Sequence, residues 1–318
     1  QDRQVFIISP VLTQAPAPTG ALGIPEFGTP FVRKMLEATK PKNFSDLVRI
    51  SGLSHGTDVW RNNAEELIKN GLTLQDVIGC RDDIMVYLMQ HGLKPKLSFD
   101  IMEAVRKGRG LQPSWEKEMN QKQIPSWYID SCKKIKYMFP KAHAVAYVMM
   151  ALRVAWFKVH RPLAYYAVYF TLRVTAYEIE TMTGSIEQVK KRLHNIKSRL
   201  QNFETKHEVT SKEVALVDTL EVTLEMLSRG YKMLPIDLMK SHATEFTIEG
   251  DGILPPFNVV DGLGNAVAES IVRAREERGF ISKQDLMTRS SISGTLVKKL
   301  DDLKVTSHLP ETNQLSLF

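Results

Sequence analysis

Apolar spacing divides the chain before anything else does. From residue 185 the sequence SIEQVKKRLHNIKSRLQNF sets Ile186, Val189, Leu193, Ile196, Leu200 and Phe203 at 3-4-3-4-3 intervals, the spacing of one buried face on an amphipathic helix. Ser185, with Gln188 three residues on, forms a capping box at its start. A second helix is predicted from 211 to about 229, with Gly230 as its C-cap, and the two read as an antiparallel hairpin with a structural role. Short helical patterns broken by Gly and Pro run from 21 to about 111, and an aromatic-rich, strongly helical block fills 124–177. Residues 245–257, EFTIEGDGILPPF, alternate polar and apolar around a Gly-containing turn, as a short β-hairpin does. Short helices return over 258–303. Residues 1–20 show no lasting periodicity and read as a loosely held lead-in, and 309–318 reads as an unstructured tail. The predicted fold class is mainly α with one small β-hairpin.

Composition narrows the classes without choosing among them. At 318 residues the chain can hold two or three domains, and 43% hydrophobic with 25% charged residues is ordinary for a globular protein. Cys80 and Cys132 are the only cysteines and form no CxxC pair. That argues against a disulfide framework and a thiolate zinc site, and fits a reducing, cytoplasmic setting. The longest uninterrupted apolar run, 144–152, is too short to span a bilayer, so no membrane partner is expected. No signal peptide is read in the lead-in, where Asp2 and Arg3 precede the apolar stretch and prolines follow it.

Charge changes the picture locally. The net charge of +6 permits a polyanionic partner, and residues 131–177 contain no Asp or Glu while holding Lys133, Lys134, Lys136, Lys141, Arg153, Lys158, Arg161 and Arg173. This block is therefore +8 and the rest of the chain nets −2 (6 − 8). Interleaved with Tyr, Phe and Trp, it is a candidate footprint for phosphates. Within it, FPKAHAVAY (139–147) puts Pro140 at a helix start and Lys141 and His143 in the first turn, where free N–H groups and the macrodipole attract an anion. Tyr147 lies four residues past His143, on the same face. The arrangement suits a triphosphate with a base near Tyr147. Spacing alone also fits, and slightly favours, a plain helix start with a solvated Lys and a core Tyr.

Several segments read together resemble one family. GALGIPEFGTPFVRKMLEATKPKNFSDLVRISGLSHGT (20–57), CRDDIMVYLMQHGL and EAVRKGRG within 79–110, and KYMFPKAHAVAYVMMALRVAWFKVHRPLAYYAVYF are similar to the fingers of PolC-type bacterial replicative DNA polymerase III alpha subunits. PPFNVVDGLG, IVRAREERG and the closing NQLSLF resemble that family's duplex-binding region and terminal peptide. The resemblance runs from about residue 20 to 318 and leaves 1–19 unassigned. It implies helical fingers over 20–240, a duplex-binding tandem helix-hairpin-helix region over 241–308 and a clamp-binding tail over 309–318.

The activity implied is template-directed addition of dNTPs to a primer 3′ end. In the family, palm aspartates hold two metal ions that activate the 3′-hydroxyl. Those aspartates, with the exonuclease and PHP domains, belong upstream of residue 20. Asp46, Asp58, Asp82 and Asp83 fall in no palm-like motif. No catalytic residue and no metal ligand is therefore assigned here, Mg²⁺ is expected on palm residues outside this chain, and the chain alone is expected to be inactive. The resemblance assigns Lys141, His143 and Tyr147, with Arg81, Ser54 and His55, to dNTP binding. Arg106, Lys107 and Arg109 read as a DNA-backbone loop, or else as a solvated charge run.

The segment VDGLGNA (260–266) has the form of a helix-hairpin-helix turn. Its glycines tolerate positive φ and let backbone approach a phosphate, so Gly262, Gly264, Asn265 and the following Arg273 are candidate DNA contacts. A more degenerate copy centres on 290–294, with Lys298 and Lys299 beyond it. Gln314, Leu315, Leu317 and Phe318 resemble the sliding-clamp-binding pentapeptide, a polar end followed by two apolar anchors. The expected partners are primer–template DNA, dNTP, the sliding clamp and other replisome subunits. The alternative is a non-catalytic DNA-binding and clamp-tethering module. A sequence-specific transcription factor is disfavoured, since no helix clusters base-reading side chains.

Overall fold

Helix-starting residues account for much of the architecture in the computed structural model, which describes residues 19–313. Residues 19–156 form one unit and 157–313 another. In the first, Thr29 caps α1 (Pro30–Thr39) by accepting from the Val32 N–H at 3.3 Å, and Asn43 caps α2 (Phe44–His55) by accepting from Asp46 at 3.1 Å. A short α3 (Glu65–Lys69) follows, then α4 (Arg81–Gln90), before whose first turn the Asp83 carboxylate accepts from the N–H groups of Gly79 and Cys80. Prolines open α5 (Pro95–Arg106) and α6 (Pro113–Gln121), where a missing N–H loses no intrahelical bond. Then come α7 (Ser126–Lys134) and α8 (Lys141–His160). The core of this unit is built from Ile50 and Leu53 of α2, Ile84 and Leu88 of α4, Ile101 and Val105 of α5, and Tyr128 of α7.

The second unit carries α9 (Pro162–Leu172), a single turn α10 (Ile179–Met182), α11 (Ile186–Gln201) and α12 (Ser211–Ser228). The Ser185/Gln188 capping box forms as predicted, and Gly230 takes φ 86° just past α12. Val189, Leu193 and Ile196 are buried, and Ile186 and Leu200 half-buried. Phe203 is a correction: it is 94% exposed. The helix stops at Gln201, and the Asn202 carboxamide accepts the Glu204 N–H at 2.9 Å, an Asx turn that competes with another helical turn.

The predicted hairpin forms from β2 (Thr247–Glu249) and β3 (Gly252–Leu254), but it is two-thirds of a sheet. The two-residue β1 (Lys232–Met233) pairs parallel with β3, giving the order β1-β3-β2. Beyond it lie α13 (Asn265–Glu277), α14 (Lys283–Arg289) and α15 (Gly294–Asp302). The mainly α fold class stands.

The described helix α8 is, by length and composition only, long and apolar enough to cross a membrane, which the uninterrupted run of apolar residues did not reveal. Its last turn argues against lipid: Lys158 is buried and its ammonium lies 2.8 Å from the Glu225 carboxylate of α12. Tyr166 donates its hydroxyl to the same carboxylate at 2.7 Å, and Arg229 donates to the Tyr166 oxygen at 3.0 Å. Lys158, Tyr166 and Glu225 are all buried, so this polar network lies inside the second unit.

Candidate functional site

Three segments far apart in sequence converge in the first unit: the end of α2, the start of α4, and the strand-like stretch leading into α8. Thr57 and Tyr137 form an isolated antiparallel bridge, with the Thr57 N–H donating to the Tyr137 carbonyl at 2.9 Å. The Arg81 N–H donates to the Phe139 carbonyl at 3.2 Å, which fixes the start of α4 beside the approach to α8. These bonds bring rings from both sides together. His55 meets Phe139 edge-on at 5.5 Å, Phe139 stacks on His143 at 4.8 Å, and His143 lies 4.4 Å from Tyr147. The result is a ladder of four rings ending in a half-exposed tyrosine.

Of the residues assigned to dNTP, His143, Tyr147 and His55 thus share one surface, with Lys141 and Arg81 beside it. Their polar partners were not foreseen. Lys141 donates its N–H to Asp82 Oδ2 at 2.6 Å and its ammonium to Asp83 Oδ1 at 3.3 Å. The first N–H of α8 is therefore taken by a carboxylate rather than left open, a correction to the expectation of free donors there. Asp83 also faces Arg49 at 3.4 Å. His55 is engaged at both ring nitrogens: Nε2 lies 3.2 Å from Glu26, and Nδ1 lies 2.9 Å from the Ser51 carbonyl and 2.8 Å from the Ser54 hydroxyl. Ser54 also donates to the Ser51 carbonyl at 3.0 Å. A cavity of about 290 Å³ opens beside the start of α8, lined by Arg49, Gln75, Asp82, Asp83, Tyr128 and Lys141 among others.

The cationic block is likewise less bare in space than in sequence. Lys133 meets Glu116 at 2.7 Å, Lys134 lies 3.8 Å from Glu66, and Lys141 and Lys158 have the acids already named. In the Lys-Gly-Arg-Gly loop (107–110), Glu103 gathers Arg106, Lys107 at 2.9 Å and, more distantly, Arg81 at 4.0 Å. Hydrogen bonds from Arg106 and then Lys107 hold the Glu103 carboxyl down to about 2. One carboxylate faces three cations, so the loop keeps a positive surplus, with Arg109 exposed beside it. Gly108, at φ 68°, sits against the Lys136 carbonyl, where a Cβ would lie 2.6 Å from the oxygen. The loop is built onto the approach to α8.

The hairpin turns of the second unit come together as two helix starts. Gly262 takes φ 85°, as expected, whereas Gly264 has an ordinary φ of −74°; the positive-φ expectation held for one glycine only. Gly264 earns its place by openness, since nothing lies within 4 Å of a Cβ built there. Asn265 opens α13 and accepts from the Asn258 amide at 3.1 Å, and Arg273 is exposed on the same helix. Lys299 of α15 donates to the Asp261 carbonyl at 2.8 Å, and the Ser291 N–H of the second turn donates to Ser270 of α13 at 2.9 Å. Ahead of the first turn stands a 3₁₀ segment (Phe257–Val259) rather than a helix.

Gln314, Leu315, Leu317 and Phe318 lie outside the described residues. The residues just before them are not the free spacer expected over 309–313. The Lys283 N–H donates to the Pro310 carbonyl at 2.9 Å, its ammonium meets Glu311 at 2.6 Å, and Ser282 donates to Asn313 at 2.5 Å. Backbone donors at the start of α14 are otherwise orphaned, and this segment satisfies those of Lys283 and Gln284. Among the described residues, no group of three His, Cys, Asp or Glu is placed to hold a metal ion.

With this geometry in hand, comparison with known proteins gives two domain matches. Residues 12–124 match the bacterial DNA polymerase III alpha subunit finger domain, and 230–312 match a helix-hairpin-helix motif. The first match begins inside the lead-in that sequence reading left unassigned. DNA polymerase III PolC-type from Streptococcus sanguinis is 55% identical over 312 residues, 96% of this chain. The corresponding protein of Bacillus cereus is 56% identical over 301 residues, and that of Bacillus subtilis 55% over 301, each covering 94% of this chain. The chain spans about a fifth of the length of these relatives (21%, 21% and 20%).

Proposed function

We propose that this chain, which belongs to the PolC-type DNA polymerase III family over the segment it spans, supplies the nucleotide-holding and duplex-holding surfaces of a replicative DNA-directed DNA polymerase. The observation that carries the reading is the ladder His55–Phe139–His143–Tyr147 set beside Lys141 and Arg81. Rings offer a face to a nascent base pair, and the cations one turn back suit a triphosphate. Ser54 orients His55 and contributes through it. The loop with Arg106, Lys107 and Arg109 meets the DNA backbone, as do the turns around Gly262, Gly264 and Asn265 with Arg273. The tail residues Gln314, Leu315, Leu317 and Phe318 dock on the sliding clamp, and a cytoplasmic location follows from the role.

Nucleotidyl transfer of this kind uses divalent metal, Mg²⁺ in this reading, to activate the primer hydroxyl and steady the departing pyrophosphate. The carboxylates here do not fit that ion: Asp82 accepts the Lys141 backbone N–H, and Asp83 faces the Lys141 ammonium and Arg49. No step is routed through them, and the palm carboxylates belong to the part of the family's chain that this one does not span. Steady-state kinetics of the polymerase carrying Lys141→Ala or His143→Ala tests the reading. A lost phosphate contact of roughly 1.5–3 kcal/mol lowers kcat/KM for dNTP about 10- to 150-fold with the fold intact. Unchanged kinetics in both variants would refute it.

A further inference from the structure

Asp82 stands where a phosphate would. Its Oδ2 accepts from the first N–H of the 20-residue α8 at 2.6 Å and lies 4.0 Å from Arg81 Nε. A carboxylate there satisfies an orphan donor and sits at the positive end of the helix dipole, which are the two things a phosphate oxygen does. The side chain is 40% exposed, so it can turn out to water without burying its charge.

Independent features show that the place is incomplete as it stands. Arg81 Nε is buried with no hydrogen-bond partner among the described residues. Tyr128 is 1% exposed, and its hydroxyl has no such partner either. Tyr128 lines the same cavity as Asp82, Asp83, Arg49 and Lys141. Buried polar groups left unpaired are unfavourable, and a ligand rich in acceptor oxygens entering this cavity would relieve the Tyr128 hydroxyl.

Resting on the nucleotide-binding reading above, we propose that Asp82 is an internal stand-in for the triphosphate. It holds the start of α8 in its binding arrangement while no nucleotide is present, and it swings away as phosphate oxygens arrive. Its charge then opposes theirs at the moment of exchange. Asp82 is on this account a positioning residue that limits how tightly a triphosphate, or the pyrophosphate released after transfer, is held.

The test uses calorimetry of this chain with inorganic pyrophosphate, comparing wild type, Asp82→Asn, Asp82→Ala and Lys141→Ala, beside thermal melts of each. Asn still accepts the Lys141 N–H, and Asn and Asp serve about equally as helix caps, so a purely structural role predicts no change in Asp82→Asn. The proposal predicts an unchanged melting temperature and pyrophosphate bound about three- to tenfold more tightly, the scale for removing one partly screened like charge. Asp82→Ala should melt earlier. Equal or weaker binding by Asp82→Asn overturns the proposal. If Lys141→Ala weakens binding while Asp82→Asn leaves it unchanged, only the stand-in role is lost. Absence of binding by both wild type and Asp82→Asn up to roughly 10 mM, above the range of a charge-assisted site, removes the nucleotide reading as well.

Discussion

At the scale of single residues, the molecule separates inert groups from poised ones by burial and partners. Cys80 and Cys132 are both fully buried, and burial pushes each thiol up to about 12. Almost no thiolate forms at pH 8, so a disulfide-exchange reagent should titrate neither cysteine in the folded chain and both in denaturant. Rapid native-state labelling of either would contradict this. Glu103 shows the opposite behaviour, its carboxyl held down to about 2 chiefly by the hydrogen bond from Arg106. A depressed carboxyl stabilises the fold above its ordinary value of 4.5, and that contribution is lost as pH falls through about 2. The melting temperature of wild type should therefore exceed that of Glu103→Gln at neutral pH, with the gap closing between pH 4.5 and 2. A gap that is independent of pH would remove the ion pair as its cause. The Glu103 pairs are local, but the partners of Lys141 could not be read from the sequence around it, because the acids that meet it lie 58 and 59 positions away. Periodicity reports which face of a helix is apolar, not which distant carboxylate closes its first turn.

At the scale of elements, what was legible followed local rules. The α11 face, its capping box, the Gly230 cap and the β2–β3 hairpin are all set within a few residues, and each appears where expected. Phe203 failed because a single Asn side chain ended the helix early, and β1 was missed because two residues pairing with a strand 20 positions later leave no pattern. The buried Glu225 of α12 broke the apolar rhythm for a tertiary reason, its bonds to Lys158 and Tyr166. Glu225→Ala leaves the Lys158 ammonium buried without its carboxylate, and should cost about 3–5 kcal/mol in denaturant unfolding. A loss under about 1 kcal/mol would mean that water replaces the carboxylate. Gly264→Val is the contrasting case. Open space around the built Cβ and an ordinary φ predict a melting temperature within a few degrees of wild type, with weaker duplex binding because the valine blocks close backbone approach. Equal loss of fold and binding would return Gly264 to a structural role.

At the scale of the whole molecule, the proposed function assigns each unit its own anionic-ligand surface: the ring ladder with its cations in one, the paired hairpin turns in the other. The segment 240–318 should bind duplex DNA with little sequence preference, and neutralising three or four phosphates gives a log–log salt slope of about −3 to −4. A salt-independent isotherm would argue against that assignment. The central claim is that the start of α8 holds the incoming nucleotide in a template-directed reaction. Photocrosslinking tests it most directly, using a dNTP carrying an aryl azide on its γ-phosphate and the polymerase bound to primer–template. The account predicts label on the peptides bearing Arg81 and Lys141–His143, strongest when the dNTP matches the template base and removed by excess unmodified dNTP. Label that avoids both peptides, or that ignores the template base, would contradict it.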